Sequence, residues 1–158
     1  KKMGVPFLPY ETYGRSPLEN SSFLVSSANF NEKIHGKGFV ARLSGSTAEF
    51  LQMWELMMNG EKLFTMQDGT LTFKLAPAIP AYLVKDDGKV ETTLFGKIKV
   101  VYDCGSKRDL IPGQYAVTKY ELVAADGSIE SCEAATVSGE AAQRIRDGKV
   151  AEIRVTIQ

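Results

Sequence analysis

Two periodicities divide the chain. From Leu63 onward, apolar and polar residues alternate, as they do on strands with one buried face. Leu71-Thr72-Phe73-Lys74-Leu75 is the clearest case. The pattern predicts a short strand at Ala81–Val84, a turn at Asp86-Asp87-Gly88, and strands over Val90–Phe95 and Lys97–Asp103 with a bulge at Gly96. Pro112-Gly113 turns the chain into a strand over Gln114–Ala124, and Asp126-Gly127 is a hairpin signal leading to Ser128–Ala135. Ser138 is placed to cap a short helix over Glu140–Asp147, and Val150–Ile157 reads as a further strand.

Before Leu63 the period is helical. Ser46-Thr47-Ala48-Glu49 has the spacing of a capping box, a hydroxyl followed three residues on by a carboxylate. Phe50, Met53, Trp54, Met57 and Met58 then recur at helical spacing, and Asn59-Gly60 ends the run. With Leu51 and Leu56 beside them, this helix is apolar around most of its circumference, which predicts burial on several sides. The segment 1–46 shows little regular pattern and is expected to be mostly irregular chain with short helical or extended pieces. The expected fold is mainly β with some α: an antiparallel, jelly-roll-like β-sandwich over 63–158. Irregular loops and one buried helix, in residues 1–62, precede it.

Charge narrows the function classes. The 158 residues carry 19 Lys+Arg and 19 Asp+Glu, a formal net charge of zero. A protein with no positive excess is a poor phosphate-backbone binder, so nucleic acid is not expected as a partner. No apolar run approaches the length of a membrane span, and no apolar core follows Lys1-Lys2 to make a signal peptide. One histidine cannot build a multi-His metal centre, and Cys104 and Cys132 fit no zinc spacing. No metal or cofactor is expected. Both cysteines read as reduced strand residues, which suits a cytoplasmic setting.

Three segments carry candidate chemistry. Arg42-Leu43-Ser44-Gly45-Ser46-Thr47 runs into the predicted helix. Backbone N–H groups and the helix dipole favour an anion there, and Arg42 adds a bidentate charge. The plain alternative is an ordinary helix cap. His35, in Ile34-His35-Gly36-Lys37-Gly38, is a candidate substrate contact or acid–base group, against the simpler reading of a structural histidine. Arg15 and Glu19, within Tyr13–Phe23, are candidates to line a polar cleft, or else belong to a self-satisfied loop network.

The order of features from Arg42 to Leu83 resembles a known arrangement. Ser44-Gly45-Ser46-Thr47-Ala48 opens a helix carrying Trp54, and Leu71-Thr72-Phe73-Lys74-Leu75-Ala76-Pro77-Ala78-Ile79-Pro80 follows. This is similar to the end of the catalytic domain in large glycoside phosphorylases of the cellobiose and chitobiose phosphorylase family. Arg15-Ser16-Pro17-Leu18-Glu19-Asn20-Ser21-Ser22-Phe23 fits the same group. The resemblance implies an inverting enzyme built on an (α/α)6 barrel, which splits β-linked glucosides with inorganic phosphate as co-substrate. It implies that Ser44, Gly45, Ser46 and Thr47 contact phosphate, although Ser-Gly-Ser-Thr here is one residue longer than the family's Ser/Thr-Gly-Thr. The catalytic acid of such enzymes lies far upstream, so this chain is expected to hold no catalytic residue. Its partners would be the upstream barrel domain and an oligosaccharide.

This reading predicts an exposed apolar patch around Phe50, Trp54 and Met57, or a homodimer that covers it. Two other classes compete. A free-standing carbohydrate-binding sandwich needs an exposed aromatic platform, for which Tyr82, Tyr102, Tyr115 and Tyr120 are candidates. A small independent enzyme would have to act through His35.

Overall fold

The computed structural model describes residues 21–41 and 44–158 of the chain. These fall into two compact units, 1–54 and 55–158, which divide inside a helix, eight residues before the boundary expected at 62.

In the first unit, β1 (Ser21–Leu24) pairs antiparallel with β2 (Gly38–Ala41). A 3-10 turn, Glu32–Ile34, lies in the connecting loop. These are the short extended and helical pieces expected within the irregular segment. Helix α1 spans Ser44–Asn59. It starts two residues before the predicted cap, so Ser46 lies within its first turn. That turn tolerates weak helix formers such as Gly and Ser, because its N–H groups have no intrahelical partner to lose.

Helix α1 is buried along one stripe rather than all round. Phe50 and Met58 are buried and Trp54 and Met57 half-buried, a stripe at i, i+4, i+7 and i+8. Leu51, Met53 and Leu56 are exposed at 56%, 42% and 42%. The three residues expected to form an exposed patch are not the exposed ones: Phe50 is buried and Trp54 and Met57 are half-buried.

The second unit holds two sheets. A three-stranded antiparallel sheet has the order β3 (Phe64–Gln67), β4 (Thr70–Phe73), β9 (Val137–Ser138). A five-stranded sheet has the order β5 (Lys89–Leu94), β6 (Ile98–Asp103), β10 (Glu152–Ile157), β7 (Val117–Val123), β8 (Ile129–Cys132). The fold is mainly β, and neither sheet closes on itself. One pair departs from the antiparallel expectation: β10 runs parallel to β6 and antiparallel to β7. The predicted strand at 81–84 is instead a 3-10 turn, Ala81–Leu83, entered from Pro80 and held by the Asp109 carboxylate on the Ala81 N–H at 2.7 Å.

The core lies between the sheets. Val90, Leu94, Ile98, Val100, Tyr102, Tyr120, Leu122, Ile153 and Val155 alternate inward from the large sheet and are all buried. Phe73 of β4 meets Tyr120 of β7 edge-on, with ring centroids 6.1 Å apart. Helix α2 (Glu140–Arg146) lies against β4 and β9 and buries Ala141, Ala142 and Ile145. Its N-cap is Gly139 at φ 65, with no side-chain cap, and the predicted cap Ser138 is instead the last residue of β9. The outer face of the large sheet carries a chain of ion pairs across the strands: Lys85–Glu91–Lys99–Glu152–Arg154–Glu121–Lys119. Alternating charge of this kind marks a solvated face and blunts edge pairing.

Candidate functional site

Of the predicted anion-binding residues, Ser44, Gly45, Ser46 and Thr47 form the first turn of α1. Their backbone N–H groups are among those a helix leaves without an internal partner, and they sit at its positive end. Arg42 lies outside the described residues, as do Arg15 and Glu19.

The other end of α1 is fully accounted for. A helix leaves its last four carbonyls without intrahelical donors. Here the Leu56 carbonyl accepts from the Gly60 N–H (2.9 Å), Met57 from Ala78 N–H (2.7 Å), Met58 from the Tyr102 hydroxyl (2.8 Å) and Asn59 from Ala76 N–H (3.0 Å). Gly60 is required at the exit. Its φ is +95°, and a Cβ there would come within 3.0 Å of Ala76. Two further tyrosines hold the extended segment that follows β4. Tyr115 donates its hydroxyl to the Pro77 carbonyl at 2.7 Å, and the Tyr120 hydroxyl accepts the Leu75 N–H at 3.0 Å. Tyr102 and Tyr120 are fully buried and Tyr115 half-buried, so the sugar platform proposed for these rings cannot include the first two. Burial is also the main force pushing the hydroxyls of Tyr115 and Tyr120 up to about 12.

His35 closes its own loop. It follows the 3-10 turn, is half-buried, and donates Nε2–H to the Asn29 carbonyl at 2.7 Å. Because a carbonyl only accepts, this bond assigns the proton to Nε2. The ring thus has a structural partner, and no described carboxylate or hydroxyl is bonded to it as in a catalytic triad.

Cys104 and Cys132 are unpaired, and burial raises both thiols, the opposite of activation. Among the described residues, no three His, Cys, Asp or Glu side chains converge on a metal-sized site, and no helix is long and apolar enough to cross a membrane. A concavity of about 280 Å³ lies between the β7–β8 hairpin and the turn after α2, lined by Leu122, Ile129, Glu130, Arg144 and Lys149. Its cations are engaged, Arg144 with Glu130 and Lys149 with Asp147 at 3.4 Å.

One surface feature escaped the sequence reading. The predicted bulge at Gly96 is a tight turn, closed by the Lys97 N–H on the Leu94 carbonyl at 3.1 Å. Both central residues have positive φ, Phe95 at 53° and Gly96 at 64°. The β3–β4 turn matches it, with Asp68 at 48° and Gly69 at 78°. Asp-Gly is a preferred pair for this geometry. Phe is not: the left-handed region costs a side chain of this kind roughly 1–2 kcal/mol. Phe95 is nevertheless 50% exposed. Its ring stacks on Phe64 (6.2 Å, 18°), and Phe64 leans on Phe73 (5.1 Å, 46°). The available signal was a Phe in a position where the turn asks for Asn or Asp.

No family model, no curated protein and no solved structure matches this chain.

Proposed function

We propose that this chain is the non-catalytic, β-rich end of a carbohydrate-active enzyme, an inverting glycoside phosphorylase acting on β-linked glucosides. In this reading α1 is the last helix of a helical-barrel domain, and its first turn, with Arg42, contributes to binding inorganic phosphate. The β unit caps the barrel and anchors that helix. Arg15, Glu19 and His35 contribute to the sugar side of the site, the last by ordering its loop.

The observation that carries the proposal is the pairing of opposite ends in α1. Its last turn has every terminal carbonyl matched by a donor, three of them from residues 76 to 102. Its first turn is a run of small and hydroxyl residues suited to an anion. Met53 and Leu56, exposed one turn apart on the same side of α1, supply an apolar surface suited to a neighbouring helix.

The test is to read the gene in frame upstream of this segment and assay the protein it encodes. A helical domain is expected to precede it. That enzyme should cleave a β-glucoside only with phosphate present, releasing the α-sugar phosphate. Ser46→Ala and Thr47→Ala should raise the KM for phosphate more than that for the sugar. A reading frame that starts near Met3, or cleavage indifferent to phosphate, would refute the proposal.

A further inference from the structure

We infer that Phe95, backed by Phe64, is a sugar-stacking platform that takes one pyranose ring of an oligosaccharide on its exposed face. Two hairpins of the same unit provide the comparison. They share one turn geometry, and the β3–β4 hairpin fills it with Asp68, which suits it. The β5–β6 hairpin fills it with Phe95, which strains it. The strain does not serve the core, because half of Phe95 remains exposed.

The ring is also held in a fixed plane. It lies nearly parallel to Phe64 at 18°, and that ring is tied through Phe73 to the fully buried Tyr120. A row of four aromatic rings thus runs from the core to the surface and ends in one open face. Thr93, Gly96 and Lys97 flank it and are exposed. A flat apolar face with polar neighbours suits the C–H face of a sugar, whose hydroxyls then meet water, the Thr hydroxyl and the Lys ammonium. A protein partner asks for more surface, about 1,200 Å² in total for a stable contact. Here the exposed large apolar residues are Phe95 and Met66, the latter two residues from Phe64 on the same face of β3. The choice of a sugar rests on the carbohydrate reading above, while the site itself is independent of the phosphate-binding turn.

Titrating the intact chain with a β-linked glucose tetramer, followed by NMR, tests this. Shifts are expected at Phe95, Gly96 and Phe64. Phe95→Asn should weaken binding at least about tenfold while leaving Tm within about 3 °C of the parent. Phe95→Tyr should bind as the parent does. Phe95→Leu keeps an apolar contact but lacks the flat face, and should lose binding as Phe95→Asn does. Three results would overturn the inference: no shift at Phe95, unchanged binding by Phe95→Leu, or a fall in Tm above about 8 °C in Phe95→Asn, which would make the ring a packing element. A parallel titration with inorganic phosphate should leave Phe95 unmoved. Sugar binding retains this site whether or not phosphate binds, because the phosphate turn acts with Arg42 and the upstream domain; phosphate binding without sugar binding refutes this site and leaves the phosphate turn standing.

Discussion

Replacing Tyr102 with Phe deletes one oxygen and leaves the ring in place. That oxygen is the donor to the Met58 carbonyl at 2.8 Å, in a region where Met58 is 1% exposed and Tyr102 0%. Water cannot take over there, so the carbonyl is left buried without a partner. Such an orphaned acceptor costs about 1–3 kcal/mol. In a chain of this size each kcal/mol lowers Tm by about 2–4 °C, so a mid-range cost of roughly 2 kcal/mol becomes a fall of about 4–8 °C. Tyr115→Phe is the internal control. It removes a bond of 2.7 Å to the Pro77 carbonyl, but Tyr115 is half-buried and water can reach the acceptor. Its cost should stay near the usual net value of about 1 kcal/mol. Urea unfolding of both variants, with unchanged slope, gives the two free energies. Equal costs, or a Tyr102→Phe cost below about 0.5 kcal/mol, would refute the view that the tyrosine hydroxyl caps the end of α1.

Two further outcomes follow from burial. Tyr115 and Tyr120 are pushed up to about 12 by desolvation, and Tyr102 well above its ordinary value of 10.0 for the same first cause. The unfolded chain then releases these protons first as pH rises. Stability should be complete below about pH 10 and fall from there through about 12. Circular dichroism and tyrosinate absorbance against pH check this, and a stability flat to pH 12 would contradict it. Leu51→Lys combined with Leu56→Lys, at positions 56% and 42% exposed, should leave Tm within about 2 °C. If α1 joins copies of the chain through these exposed apolar residues, the same pair should abolish concentration-dependent self-association in sedimentation, and a monomeric parent would remove the homodimer from consideration.

Local signals were legible and long-range ones were not. The alternation around Phe73 located β4, and Asp126-Gly127 located the turn from β7 to β8. The end of α1 at Asn59 could be read from Asn-Gly alone. The stripe it buries was harder, because Leu51 and Leu56 are as apolar as Phe50, and only packing decides between them. No local pattern could announce that β10 enters between β6 and β7, since turn residues specify neighbours in sequence only. Ala81–Leu83 looked like a strand because three apolar residues in a row do not reveal a period. Around the candidate site, the small-residue run at Ser44–Thr47 was visible, but the tyrosine hydroxyls that hold the end of α1 and the segment after β4 were not, and these tyrosines entered only as candidates for an exposed platform. An aromatic residue carries both roles, and its burial is a property of the assembled sheets.

The place of β10 has a consequence for how this fold is made. It supplies the middle of the five-stranded sheet, between the partners β6 and β7, yet it comes after every other strand in sequence. Until residues 152–157 arrive, the β5–β6 and β7–β8 hairpins each present an open inner edge. The sheet can then only close as a late, non-local event, which makes for slow folding and a window of edge-to-edge misassembly during synthesis. Shortening the chain before Glu152 would therefore do more than trim a strand. It would leave two hairpins with nothing to join them.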